Sequence, residues 1–189
     1  MQQSWRQDPD KLTFIVCAPV HRSNATSIGE NDDGPDNMLG DVNLFLRMED
    51  EEGEGRGSSS IIVGEIELMI AEKKSHRMGY GRAALLSLLK YITNHEGRIL
   101  SEFVNDDATH PTTTPPLKLS HLSAKIDQGN FKSLALFGSA SFKPVSNEPN
   151  YFGELELRRE DVSSGWVDGL LERAGIEGYI EMGYRRPVQ

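Results

Sequence analysis

The chain has 189 residues, 37% of them hydrophobic and 26% charged, the make-up of one soluble globular domain with enough apolar residues to bury a real core. Its 20 Lys and Arg against 29 Asp and Glu leave a net charge of -9, which speaks against nucleic acid as the principal partner, because phosphate neutralisation takes clustered cations. No run reaches the roughly 20 apolar residues needed to cross a bilayer, and Met1 to Arg6 lack a secretory apolar core, so no membrane contact and a cytoplasmic setting are expected.

From Leu12 the run 13–18 is short, apolar and β-branched, and reads as a buried strand ended by Pro19. Cys17 lies in it as core filling; as the single cysteine it excludes an intrachain disulfide and a cysteine-based zinc site. Residues 21–36 are polar and aperiodic, a loop. The stretch 40–47 alternates as a half-buried strand, and the Glu- and Gly-rich run 49–60 reads as a connection of variable length between two strands. Its acidic part is more plainly a solvated loop than a device for steering a basic partner.

Along 61–72, Glu65, Glu67 and Met69 fall on one face and Ile66, Leu68 and Ile70 on the other, so this strand has a wet side. The turn His76-Arg77-Met78-Gly79-Tyr80-Gly81-Arg82 follows. Then Ala83, Leu85, Leu86, Leu88, Leu89 and Ile92 recur at helical spacing, which predicts a helix of about three turns ending near 94–97. Residues 97–120, which contain Asp106-Asp107, Thr112-Thr113-Thr114 and Pro115-Pro116, read as an insertion loop. A strand over 121–127, a helix from Phe131 to Phe137 with Asn130 as its N-cap, and strands over 142–145 and 153–159 come next. A short helix over 166–173, stopped by Gly175, lies in a C-terminal tail 161–189 that follows a domain of residues 1–160.

The glycine turn carries the chemistry. It follows an apolar strand and opens a helix, so its backbone amides and the helix dipole point together at an anion, and His76, Arg77 and Arg82 add positive charge. An ordinary strand-to-helix turn is the plainer alternative. A Walker A loop is excluded because Arg82-Ala83, not Lys-Ser/Thr, follows Gly81. The spacing Gly79-x-Gly81-x-x-Ala84 also fits the relaxed dinucleotide fingerprint, but Glu65 and Glu67 alternate along a strand that such a fold buries on both faces. The five histidines show no ligand spacing, and no metal is expected.

The order of strand, basic Gly-x-Gly turn, helix, strand, Asn130 and a helix ending in Phe137 before Ser141-Phe142 resembles the GNAT superfamily of N-acetyltransferases. Within it, residues 1–16, Gly40-Asp-Val-Asn-Leu-Phe-Leu46, Gly64-Glu-Ile-Glu-Leu-Met-Ile-Ala-Glu72 and Ala124-Lys-Ile-Asp-Gln-Gly-Asn130 are similar to the N-acetyltransferase 9-like family. The resemblance implies an α/β (α+β) GNAT fold, a mixed, mostly antiparallel central sheet flanked by helices, here expected to lack the family's first strand and helices. It implies acetyl-CoA as acetyl donor, a protein N-terminal α-amine as acceptor, and tubulin as the acceptor protein. Met69, Ile70 and Ala71 would then lie along the pantetheine arm, residues 76–82 (His76, Arg77, Met78, Gly79, Tyr80, Gly81, Arg82) would hold the pyrophosphate, and Asn130 and Phe137 would face the cofactor. His76 stands where relatives carry Gln or Arg, and Phe137 where many carry an acidic Tyr. Glu67 and Glu65, on one strand face, are the candidate bases for deprotonating the amine; a solvated face is the bland reading of the same pair. A silent acyl-CoA-binding or protein-interaction module of the same fold is the alternative to an enzyme.

Overall fold

The computed structural model describes residues 8–19, 32, 34–51, 59–106, 118–176 and 178–182. A six-stranded sheet runs in the order β1-β2-β3-β4-β6-β5, built from β1 (Lys11–Cys17), β2 (Met38–Glu51), β3 (Ser59–Ile70), β4 (Leu119–Asp127), β5 (Lys143–Pro144) and β6 (Glu154–Arg159). Every neighbouring pair is antiparallel except β3 and β4, which are parallel. The helices are α1 (Tyr80–Asp106), α2 (Phe131–Ser139) and α3 (Ser164–Arg173). This mixed, mostly antiparallel sheet with one parallel pair joined through a helix is the α/β architecture that the residues and the GNAT resemblance imply.

Alternation decides which face is dry. Val42, Leu44 and Leu46 of β2 pair with Leu68, Ile66 and Gly64 of β3, and with Leu122, Ala124, Ile126 and Leu157 they form the side of the sheet that packs under Leu85, Leu88, Leu89 and Ile92 of α1. The opposite face carries Thr13, Asn43, Arg47, Glu65, Glu67, Lys125 and Arg158, placed by the same pairings. Phe137, Phe142, Val167, Leu170 and Leu171 belong to the same core, so the helix of the C-terminal region is built into it.

Three readings of the chain change. The strand expected to be buried, β1, lies at the edge of the sheet and is half-buried, with Ile15 50% exposed. The helix expected to end near 94–97 runs to Asp106, so residues 97–106 of the expected insertion loop 97–120 are helical, while 119–120 open β4. Ile99, Leu100, Phe103 and Val104 continue the apolar stripe beyond Ile92, and burying two aliphatic side chains, worth roughly 1.5–3 kcal/mol each, outweighs the penalty of about 1 kcal/mol for Gly97 within a helix. Glu96 also reaches forward, its Oε1 accepting from the Leu119 amide at 2.9 Å. Residues 107–117 lie outside the described ones. Likewise the expected connection 49–60 is shorter, because β2 and β3 pair as far as Glu51↔Ser59, and Ser60 Oγ donates to Asp50 Oδ1 at 3.2 Å. A ladder rung is set by its partner strand, so Glu and Asp join one despite their composition. Of the expected loop 21–36, residues 21–31 and 33 lie outside the described residues, as do 52–58.

Candidate active site

β3 and β4 pair side by side at only four rungs, Ile62↔Leu119, Val63↔His121, Gly64↔Leu122 and Glu65↔Ser123. Beyond the last rung they part. β3 continues to Ile70 while still paired on its outer edge with β2, and β4 continues to Asp127 while still paired on its outer edge with β6. The inner edges of 66–70 and 124–127 thus face one another across a fork whose root is Glu65 and Ser123. Backbone groups on such edges need partners, and an extended ligand bearing amides is one way to supply them.

The glycine turn closes the mouth of this fork. A Cβ placed on Gly81 would lie 3.7 Å from Leu136 of α2 and 3.8 Å from both Ile70 and Leu68 of β3, so the first turn of α1, the end of β3 and α2 meet there. Gly79 has φ +90 and a Cβ on it would meet nothing within 4 Å; the glycine supplies the backbone turn, and the space before the helix is open. The first bond of α1 runs from the Ala83 amide to the Gly79 carbonyl at 2.9 Å. Among the described residues, the amides of Tyr80, Gly81 and Arg82 donate to no backbone acceptor, leaving them at the positive end of a 27-residue helix with Arg77, Arg82, Lys73 and Lys74 exposed around them. Arg77 itself takes φ 64, a left-handed conformation that a non-glycine residue adopts only when its surroundings hold it there.

Several residues singled out in the sequence have duties that redefine them. His76 Nε2 donates to the Ile70 carbonyl at 2.7 Å, so the ring ties the turn to the end of β3 rather than lending its charge to the anion position. The Ala71 amide donates to the Leu39 carbonyl at 2.8 Å, which leaves it none to offer a ligand. Met69 and Met78 are exposed at the mouth, and Tyr80 is half-buried. Asn130 is the N-cap of α2, its Oδ1 accepting from the Ser133 amide at 3.2 Å; only its amide nitrogen is left for another partner.

Phe137 is part of the core. It is 4% exposed and stacks edge-on against Phe142 at 5.2 Å between ring centroids. The cause is the way α2 ends: the Phe142 amide donates to the Phe137 carbonyl and the Ser141 amide to the Gly138 carbonyl, with Ser141 at φ 66. In this Schellman ending the residue two beyond the cap packs on the one three before it, which makes Phe137 and Phe142 core partners.

The two candidate bases differ sharply. Glu65 Oε2 accepts from Arg47 Nη1 and from Lys125 Nζ, both at 2.8 Å, so this carboxylate bridges β2, β3 and β4. Glu67 is exposed and, among the described residues, has no ion-pair or hydrogen-bond partner for its side chain. No group of His, Cys, Asp and Glu among the described residues could hold a metal ion.

Two further polar groups, which spacing alone did not single out as a pair, lie at and below the root. His121 and Ser123 share the polar face of β4 and are 3% and 0% exposed. Burial holds the His121 imidazole below its ordinary value of 6.5, and the neighbouring Arg158 guanidinium acts in the same direction. The unfolded chain therefore takes up a proton on this side chain at a higher pH than the folded one does. Its contribution to stability is complete above the ordinary imidazole range and is lost as the pH falls through that range to the depressed folded value. Urea midpoints measured from pH 7.5 down to 5 are expected to fall, and to fall less in His121→Gln; equal slopes for the two proteins contradict this account.

No family model matches the chain. The alpha/beta-tubulin-N-acetyltransferase 9 of Drosophila melanogaster is 34% identical over 176 residues, which are 93% of this chain and 71% of that protein. This chain belongs to the N-acetyltransferase 9 family. The human alpha/beta-tubulin-N-acetyltransferase 9 is 34% identical over 175 residues (92% of this chain, 66% of that protein), and the N-acetyltransferase 9-like protein of Caenorhabditis elegans is 31% identical over 182 residues (95% and 74%). Among solved structures, a putative ribosomal-protein-serine acetyltransferase from Vibrio cholerae superposes with a TM-score of 0.47 at 16% identity, covering 84% of this chain and 71% of its own, too loosely to add to the membership. As a member of the N-acetyltransferase 9 family the chain is an acyltransferase. No described helix is long and apolar enough to cross a membrane.

Proposed function

We propose that this chain moves the acetyl group of acetyl-CoA to a protein N-terminal α-amine, with tubulin as the acceptor and the cytoplasm as the setting. The observation that carries the reading is the fork between β3 and β4, with the unclaimed amides of Tyr80, Gly81 and Arg82 at its mouth. The donor's pyrophosphate suits those amides and the basic residues beside them. Its pantetheine arm carries two amide groups that suit the open strand edges of 66–70, and an arm laid from mouth to root brings the thioester toward Glu65 and Ser123. Relatives whose names specify tubulin support the acceptor.

The reaction needs a neutral amine, and we assign Glu67 as the group that takes its proton, directly or through water, because it shares the strand face with the root and is engaged by nothing else. Glu65 is then a strut that keeps Arg47 and Lys125 in place. In Glu67→Gln, kcat is expected to fall roughly a hundredfold with the rise of rate with pH flattened, whereas Glu65→Gln loses less than about tenfold. A larger loss in Glu65→Gln than in Glu67→Gln reverses the two roles. Phe137, which carries no phenol at the position where many relatives have one, favours the silent acyl-CoA-binding module as second reading. A single-turnover assay with radiolabelled acetyl-CoA and peptides bearing free N-termini decides: label on the peptide above the chemical background supports the enzyme, and binding without transfer supports the silent module.

A further inference from the structure

The leaving sulfur of a thioester must be protonated, and Phe137 has no proton to give. At the root of the fork, however, there is a hydroxyl with nothing to do. Among the described residues three buried side-chain polar atoms have no hydrogen-bond partner, and two of them, His121 Nε2 and Ser123 Oγ, are two residues apart on one face of β4. The remaining one is Trp166 Nε1, in α3. Orphaned polar atoms are uncommon in protein interiors, so a pair of them on one strand face calls for an explanation. Ser123 is also the residue of β4 at the last rung, opposite Glu65, where the strands begin to part. Side chains two apart on a strand leave the backbone about 6.6 Å from each other, a little more than the roughly 5.6 Å that two hydrogen bonds through one water reach, so the bridge requires the imidazole to incline toward Ser123.

We propose that Ser123 donates the proton to the departing sulfur, and that His121, through one bridging water, holds that hydroxyl in its donating direction. This rests on the acetyl-transfer reading given above. The acceptor's ammonium gives one proton to Glu67, and the neutral nitrogen forms the new N–C bond. The C–S bond then breaks with its electron pair left on sulfur, which takes the Ser123 hydroxyl proton. Ser123 recovers a proton from the bridging water. The second proton shed by the nitrogen as the amide forms makes good that transfer, and the proton on Glu67 returns to solvent. Ser123 touches the reacting atoms and is a catalytic residue; His121 acts through the water and is a positioning residue.

The orphaned state of the hydroxyl makes the test sharp, because a group kept for catalysis and a group kept for folding respond in opposite ways. In Ser123→Ala, kcat is expected to fall roughly 10- to 100-fold with the KM for acetyl-CoA within about twofold of the parent, while the thermal midpoint is unchanged or higher, since a partnerless hydroxyl has been removed. Ser123→Thr, which keeps the hydroxyl, restores most of kcat. His121→Gln, which retains a side-chain amide able to bind the water, keeps activity within a few fold, and His121→Leu loses as much as Ser123→Ala. The proposal is overturned if Ser123→Ala turns over like the parent, or if it loses activity only together with a lowered midpoint. If His121→Leu fails to fold, the Ser123→Ala and Ser123→Thr pair still decides. Absence of turnover in the parent protein instead defeats the acetyl-transfer reading, so the two failures are distinguishable.

Discussion

Gly81→Glu is expected to weaken acetyl-CoA binding at least a hundredfold while leaving the protein as stable as before, or more so. The substitution separates the two properties because the helix start welcomes a carboxylate and the ligand does not. A Cβ at this position has ordinary contacts at 3.7 and 3.8 Å to Leu136, Ile70 and Leu68, so the branch from the backbone itself displaces nothing. In the first turn of α1 a Glu gains about 0.3–1 kcal/mol from the helix dipole, and removing a helical glycine gains up to about 1 kcal/mol more. Against an anion held by the same amides, a unit negative charge about 4 Å away costs roughly 4 kcal/mol at an effective dielectric near 20. Calorimetric titration with acetyl-CoA reads the loss and a thermal melt reads the stability. Gly81→Ala, which adds bulk without charge, is expected to cost less than about tenfold. Unchanged affinity in Gly81→Glu places the pyrophosphate away from this turn.

Leu100→Ala is expected to cost about 2–5 kcal/mol of unfolding free energy, because Leu100 is 0% exposed and the hole left in its place can close only in part. The site lies in the part of α1, residues 97–106, whose composition reads as loop, so the measurement also tests the helix itself. Nearby Ser101, exposed and donating to the Gly97 carbonyl at 2.6 Å, should tolerate alanine within about 0.5 kcal/mol. Gly97→Ala should stabilise by up to about 1 kcal/mol, since the added methyl meets nothing within 4 Å and relieves a helical glycine. Urea unfolding of the three variants gives the comparison. A cost below about 0.5 kcal/mol for Leu100→Ala is what a solvent-exposed loop residue would show.

What misled the reading around 97–106 was weight given to Gly97 and to the polar, proline-rich stretch after it, both local signals. Ile99, Leu100, Phe103 and Val104 carried the opposite signal at helical spacing, and only their burial against the sheet shows which signal wins. The same holds for Glu49, Asp50 and Glu51, whose composition is that of a loop and whose conformation is set by the rungs to Ile61, Ser60 and Ser59. Phe137, which its place in the sequence order set beside the cofactor, is turned into the core by the way α2 ends.

By itself the sequence determined the succession of elements, the wet and dry faces of β3, the N-cap at Asn130 and the basic glycine turn opening a helix, because each depends on neighbours within a few residues or on a period of two or 3.6. It could not say that Glu65 would be claimed by Arg47 from 18 positions back and Lys125 from 60 positions on, leaving Glu67 unengaged. Nor could it say that β3 and β4 would part after Glu65 and Ser123, or that His121 Nε2 and Ser123 Oγ would be buried without hydrogen-bond partners at and below that root. Those facts are made by strands meeting across long separations, where the pairing register and the packing of α1 and α2 against the sheet decide which polar groups find a partner and which are left for a substrate.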